Sequence, residues 1–182
     1  MKRLRSARSS FGFFSPPVET GFPLDTHPLT LQSVRVPAAA RLGGERANLQ
    51  PLVDASRIAV AALAVGVARA AFDYARDYAK ERRAFGVAIA QKQAIAFKLA
   101  DMAIEIDSMR LLTWEAAWKL DSGRPATREA VLVKQYASQS ALNITDNAVQ
   151  VLGGHGYIRE HPVELWLRNA RGFASFDGLA IV

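Results

Sequence analysis

The stretch TREAVLVKQYASQSALNITDNAVQVLGGHGY, residues 127–157, decides the fold. Ala130, Val133, Ala137, Ala141, Ile144, Ala148 and Val151 recur in it at three- and four-residue steps. That spacing puts side chains on one face of an α-helix, and the run is far too long for a strand. Thr127 stands where it can cap the start, with Ala130 at the third step in place of the Glu or Gln of a capping box. Gly153-Gly154-His155-Gly156 ends the pattern.

The same pattern occurs twice upstream. From about Leu52 to Arg83, Ile58, Ala61, Val65, Ala68, Phe72, Ala75 and Ala79 form one face. Its many alanines predict close approach by a neighbouring helix, and Phe85-Gly86 breaks it. From about Gln91 to Asp121, Ile95, Leu99, Met102, Ile106, Met109, Leu112, Ala116 and Leu120 form a sustained seam. Ser122-Gly123-Arg124-Pro125 stops that helix. Pro162 suits the first turn of a shorter fourth helix running towards Arg171. Three long helices and a short one, joined by short connections, predict an all-α, antiparallel four-helix bundle. These seams are read as core packing.

Residues 1–50 differ. Pro16, Pro17, Pro23, Pro28 and Pro37 fall there, and Leu29–Val36 alternates with the period of a strand. Pro37 ends the strand and Leu42-Gly43-Gly44 marks a turn. This is too little β-structure to stand as an independent sheet.

Composition narrows the function. The 182 residues suffice for one ordinary domain, and with half of them hydrophobic and 22% charged they predict a packed core. The absence of cysteine excludes disulfides, zinc–thiolate sites, cysteine-ligated iron–sulfur clusters and a cysteine nucleophile. His27, His155 and His161 have no metal-site spacing, so no metal is expected. Of the net charge of +6, residues 1–46 carry +4, which leaves a nearly balanced body without a nucleic-acid footprint. No apolar run approaches the roughly 20 residues of a membrane span. The start, MKRLRSARSS, lacks the apolar stretch of a secretory signal. It reads as a disordered basic tail or an organelle transit peptide. The expected location is the cytoplasm, with the mitochondrial matrix as the alternative.

Three features exceed what a plain bundle needs. Arg82 and Phe85 sit in Glu81-Arg82-Arg83-Ala84-Phe85-Gly86 at a helix end. This reads either as a cationic terminus favoured by the helix dipole or as an arginine offered to phosphate beside a stacking ring. Gln150-Val151-Leu152-Gly153-Gly154-His155-Gly156-Tyr157 has more glycine than a helix cap requires, and such bare backbone can approach phosphate or ribose oxygens. Phe176-Asp177-Gly178 is an ordinary turn or a placed carboxylate. Asp54 and Arg57, three residues apart, are a helix-start acid and a surface cation, or a pair at the mouth of a site.

Taken in order, these pieces resemble the C-terminal half of an acyl-CoA dehydrogenase, over about Leu24 to Val182. Arg57-Ile58-Ala59-Val60-Ala61-Ala62, Tyr78 to Gly86, Gln93-Ala94-Ile95, Leu99-Ala100-Asp101-Met102, Gln150 to Tyr157 and Arg168-Asn169-Ala170-Arg171 look like family signatures in register. Val34-Arg35-Val36-Pro37-Ala38 and Leu42-Gly43 look like the end of the family's middle β-domain. The resemblance implies the end of the β-domain (22–50) and the C-terminal bundle (51–182); the basic tail, residues 1–21, has no counterpart in it.

It also implies an FAD-dependent α,β-dehydrogenation of an acyl-CoA thioester, within fatty acid metabolism. Arg82 would contact the FAD pyrophosphate and Phe85 would pack near the cofactor. Gln93, Gln150, Gly153 and Gly154 would line its ADP portion, partly across a subunit boundary. Asp54 and Arg57 would face the CoA part of the substrate. Asp177 would be the base, where many members carry Glu in Tyr-Glu-Gly-Thr. This Asp, one CH2 shorter, also resembles the nitroalkane-oxidase branch. The expected assembly is a homodimer or homotetramer through the bundle, with an electron acceptor such as an electron-transfer flavoprotein. The family's N-terminal helical domain and most of its β-domain have no counterpart in the 182 residues. The chain alone is therefore expected to show no turnover. The other readings are a non-catalytic bundle subunit that pairs with a fuller homologue, and a self-associating bundle without flavin.

Overall fold

The computed structural model describes residue 30, residues 32–40 and residues 48–175. Four helices dominate: α1 (Gln50–Glu81), α2 (Gln93–Asp121), α3 (Thr127–Leu152) and α4 (Val163–Phe173). The boundaries of the three long helices lie within two residues of those expected. Pro162 precedes α4 as its cap residue and does not enter its first turn.

Contacts at the helix ends give their directions. The start of α1 meets the end of α2 and the start of α3 where Asp54, Leu120 and Thr127 line one crevice. At the other end, Tyr78 of α1 reaches His155, just past α3. So α2 runs against both α1 and α3, and those two are parallel. In α4, Trp166 packs edge-on to Tyr74, while the Phe173 carbonyl accepts from Ser138 Oγ at 3.3 Å. α4 therefore runs back along α3.

The most extensive packing joins α1 and α3. Its cause is side-chain size. Ala61, Ala64, Ala68, Ala71, Ala75 and Ala79 are at most 1% exposed, so α1 presents small groups that let α3 come close. From α3, Ala130, Val133, Ala137, Ala141, Ile144, Ala148 and Val151 are all buried, as their spacing predicts. Bulk comes from Met102, Ile106 and Met109 of α2. Burying side chains of that size is worth about 1.5–3 kcal/mol each.

One seam residue differs from expectation. Leu112 is 40% exposed, and Thr113 takes the buried seat. The steps 102, 106, 109, 113, 116 alternate four and three, so the helical repeat points Thr113 inward. Its hydroxyl is satisfied by donating to the Met109 carbonyl at 2.7 Å.

Two further expectations need correction. Thr30 and residues 32–36 form no strand, and Val34 and Val36 are 54% and 66% exposed. The short alternation finds no sheet edge among the described residues. Leu29, Leu31 and the Leu42-Gly43-Gly44 turn lie outside them. Also, an 18-residue window of α1 has a mean hydropathy of 1.6, enough by length and composition to cross a membrane. On one side of the helix Ala61, Ala64, Ala68, Ala71, Ala75 and Ala79 are buried in the core, and 39% of the window is buried in all. Its other side carries an ion-pair ladder, Arg69–Asp73, Arg76–Asp73 and Arg76–Asp77, at 2.7–2.9 Å.

Between α1 and α2 lies a hairpin that spacing did not predict. Strands β1 (Arg83–Ala84) and β2 (Val87–Ala88) pair antiparallel, and a 3-10 turn, Ile89–Gln91, leads into α2. Two residues per strand are too few to show a period.

Candidate functional site

The hairpin fixes a cation and an aromatic ring at one end of the bundle. The Arg82 N–H donates to the Tyr78 carbonyl and its own carbonyl accepts from Ile89 N–H, both at 2.8 Å. The main chain is thus held on both sides, while the side chain is exposed. Phe85 and Gly86 form the turn with φ of +55° and +83°. Such turns favour Asn-Gly, and a bulky residue at positive φ is strained. Yet Phe85 is 94% exposed, with the Lys92 ammonium 5.5 Å from its ring centroid. Core packing gives no reason for a strained backbone that holds a ring in water, which makes the ring a candidate contact for a ligand.

The glycine turn, a 3-10 segment Gly153–Tyr157, lies at the same end. Gly153 has φ +60° and terminates α3. A Cβ on Gly154 would meet nothing within 4 Å, so its backbone is bare and open. A Cβ on Gly156 would lie 2.6 Å from the Val149 carbonyl, so that glycine serves packing. Gln150, in the last turn of α3, and Gln93, the first residue of α2, are exposed nearby. Lys98 Nζ donates to Asn147 Oδ1 at 2.9 Å and ties those two helix ends together. The structure therefore brings Arg82, Phe85, Gln93, Gln150, Gly153 and Gly154 to one end.

Asp54 and Arg57 are at the other end. Twenty-eight residues of helix separate Asp54 from Arg82, about 40 Å along the axis. Asp54 is 3% exposed. Its Oδ1 accepts from Gln50 Nε2 at 2.8 Å and its Oδ2 from Thr127 Oγ1 at 2.6 Å. Thr127 thus does not cap α3, whose N-terminus has no side-chain cap. Its hydroxyl bridges to α1 instead, a role without a local sequence signal. These residues line a crevice of about 190 Å³ with Asn48, Arg124 and Ala126. Arg124 stacks on Trp118 at 4.6 Å. Arg57 lies one turn further along α1 and is partly buried. Asp177 lies outside the described residues.

Electrostatics tie α2 to α3 beside the Asp54 crevice and at mid-bundle. Lys119 Nζ lies 2.8 Å from Glu129, joining the end of α2 to the start of α3. That hydrogen bond holds the Glu129 carboxyl below the usual range and raises Lys119. Glu105 Oε2 accepts from Tyr136 Oη at 2.7 Å and Ser140 Oγ at 2.6 Å. Burial, then the bond to Glu105, pushes the Tyr136 phenol up. Among the described residues no three His, Cys, Asp or Glu side chains group as metal ligands.

Sequence spacing missed a second stripe on α2. Phe97, Ile104, Leu111 and Trp118 stand seven residues apart and are 61%, 65%, 62% and 52% exposed; Trp114 beside them is 62% exposed. The seven-residue repeat was the available signal.

The sequence model of the family described as "Acyl-CoA dehydrogenase, C-terminal domain" matches residues 45–180. A probable acyl-CoA dehydrogenase, YngJ of Bacillus subtilis, is 47% identical over 150 residues, which cover 81% of this chain and 40% of that relative. The solved butyryl-CoA dehydrogenase of Megasphaera elsdenii superposes with a TM-score of 0.68 at 41% identity, over 71% of this chain and 34% of that one. The structure of PigA with FAD and proline superposes with a TM-score of 0.67 at 28% identity, over 71% and 34%. The chain thus spans well under half the length of each.

Proposed function

The chain belongs to the acyl-CoA dehydrogenase family, and on that premise we propose that it forms the C-terminal helical part of an FAD-dependent enzyme that desaturates an acyl-CoA thioester. The observation that carries this reading is the hairpin end of the bundle. There a strained, 94% exposed Phe85, an exposed Arg82 and the bare backbone of Gly154 share one end. These groups fit FAD by their chemistry. The Arg82 guanidinium would neutralise a pyrophosphate, and Phe85 would offer a flat apolar surface. The Gln93 and Gln150 amides would bond ribose or adenine edges, and Gly153 and Gly154 would let backbone approach. FAD, when bound, would supply the acceptor for the β-hydride.

Asp177 would remove the α-proton, which needs its carboxylate placed to about 1 Å. At the far end, the crevice walled by Asp54 and Thr127 would take a polar part of CoA, with Arg57 beside it. Because about 40 Å of helix separates the two ends, one copy does not put both on a single small site. This favours an assembly in which copies combine their ends, a homodimer or homotetramer. The exposed apolar stripe of α2 supports such an assembly. An electron-transfer flavoprotein would then reoxidise the cofactor. A second reading, a nitroalkane-oxidase-like enzyme, is favoured by Asp at position 177.

Titration of FAD into the 182-residue chain tests the reading. We expect saturable binding that weakens at least tenfold in Arg82→Ala. A wild-type chain that shows no saturable binding would refute it. In an assembly that turns over, Asp177→Asn should keep flavin and lose flavin bleaching by acyl-CoA. Bleaching by a nitroalkane alone would select the second reading.

A further inference from the structure

We propose that Tyr74 and Tyr78 are positioning residues that hold the glycine turn against α1 through His161 and His155, and so set how tightly the turn receives a dinucleotide. The inference rests on the FAD reading for its consequence, but not for the geometry of the latch.

Tyr74 and Tyr78 lie one turn apart on α1, so both side chains project from one face. Tyr78 Oη is 3.2 Å from Nδ1 of His155, which sits inside the glycine turn. Tyr74 Oη is 2.7 Å from Nδ1 of His161, in the segment between that turn and α4. Each hydroxyl donates when the imidazole carries its proton on Nε2. The four rings also pack as one cluster. The two imidazoles meet at 86° with centroids 5.7 Å apart, and Tyr78 stands at 82° to His161 at 5.7 Å. Trp166 of α4 closes the far side against Tyr74 at 5.9 Å.

The placement gives the cluster its role. Gly153 and Gly154 have no side chains, and a Cβ on either would meet nothing within 4 Å, so little else there limits their motion. The turn is fixed instead by the two residues that follow them. Gly156 is packed under Val149. His155 is bonded to Tyr78 of α1, four residues before Arg82, which caps that helix. The latch thus joins the bare backbone of the turn to the helix end that presents Arg82. A dinucleotide contacting both would meet them already in register, which lowers the ordering cost of binding.

Amide hydrogen exchange and FAD titration on the 182-residue chain test this together, in wild type, Tyr74→Phe/Tyr78→Phe, His155→Leu and His155→Asn. The phenylalanine variants keep the ring packing and lose only the hydroxyls. Asn returns an acceptor near the Nδ1 position, so it should rescue what Leu loses. We expect the amides of residues 153–157 to exchange about tenfold faster in the double variant and in His155→Leu. Exchange within α3 should be unchanged, and His155→Asn should lie near wild type. FAD affinity should fall about threefold to tenfold in the same two variants. Unchanged exchange at 153–157 would overturn the latch whether or not flavin binds. Faster exchange with unchanged flavin affinity would overturn its role towards the cofactor. A wild-type chain that binds no flavin would refute the proposed function, and exchange alone would then decide the latch.

Discussion

Thr127 Oγ1 donates a 2.6 Å hydrogen bond to Asp54 Oδ2, joining the first turn of α3 to the first turns of α1 across 73 residues of chain. Asp54 is 3% exposed, and its other oxygen is taken by Gln50. A buried carboxylate that loses a donor bears the cost of that unsatisfied oxygen. Thr127→Val should therefore cost about 1.5–3 kcal/mol of stability, and Thr127→Ser much less. Urea unfolding of the three proteins measures this. A Val variant as stable as wild type would mean that the link contributes nothing.

The glycines of the turn should separate packing from binding. Gly156→Ala places a Cβ 2.6 Å from a backbone carbonyl, which cannot swing away, and should destabilise the chain by about 1–3 kcal/mol. Gly154→Ala meets nothing and should leave thermal unfolding unchanged while weakening FAD several-fold. Equal flavin affinity for Gly154→Ala and wild type would remove this backbone from the site.

Phe85 offers the opposite pairing of effects. Asn suits a residue at φ +55° in a hairpin turn better than Phe does. Phe85→Asn should thus raise stability by about 0.5–1 kcal/mol and lower flavin affinity. Calorimetry and flavin titration on the same sample check both signs. A variant that binds flavin as wild type does would return the ring to the status of an unexplained exposed residue.

Two groups predict how stability varies with pH. The Glu129 carboxyl is lowered by its bond to Lys119, so its contribution is present above the ordinary glutamate range and is lost as pH falls through the lowered value. The Tyr136 phenol is raised by burial and by Glu105. Its contribution is present below the ordinary tyrosine value and is lost as pH rises through the raised one. Glu129→Gln should flatten the acid limb of a stability–pH curve, and Tyr136→Phe the alkaline limb. Curves that overlay wild type would show that neither bond matters to folding.

The exposed stripe of α2 should report assembly. Leu111→Lys places a charge among Ile104, Trp114 and Trp118 without touching the buried seam. Sedimentation should show a smaller species than wild type, with the helical content retained. A wild-type chain that is already monomeric at high concentration would end this reading.

The helices were legible because their periods are long. Seven predicted inward positions of α3 are all buried, and the stops at Gly123 and Gly153 coincide with positive φ. Leu112 was misplaced because hydrophobicity was read ahead of register, and Thr113 satisfies its hydroxyl inside its own helix. At the hairpin end, Phe85 and the turn at Gly153 and Gly154 were visible as an aromatic at a helix break and as excess glycine, while Gln93 carried no such signal. Their gathering at one end was not, since it depends on helix directions. Thr127–Asp54 and Tyr78–His155 link residues more than seventy positions apart, and no local pattern marks either.

The alanine seam between α1 and α3 has a consequence for how this molecule can be probed. Truncation to alanine, the usual way to find which side chains matter, is blind at the six buried positions of α1 that are already alanine. Only enlargement interrogates them. By the same logic random mutation meets this face as a one-way gate: nearly every change adds volume, and none but glycine removes it. The least conspicuous side chains of the chain are those with the fewest permitted replacements.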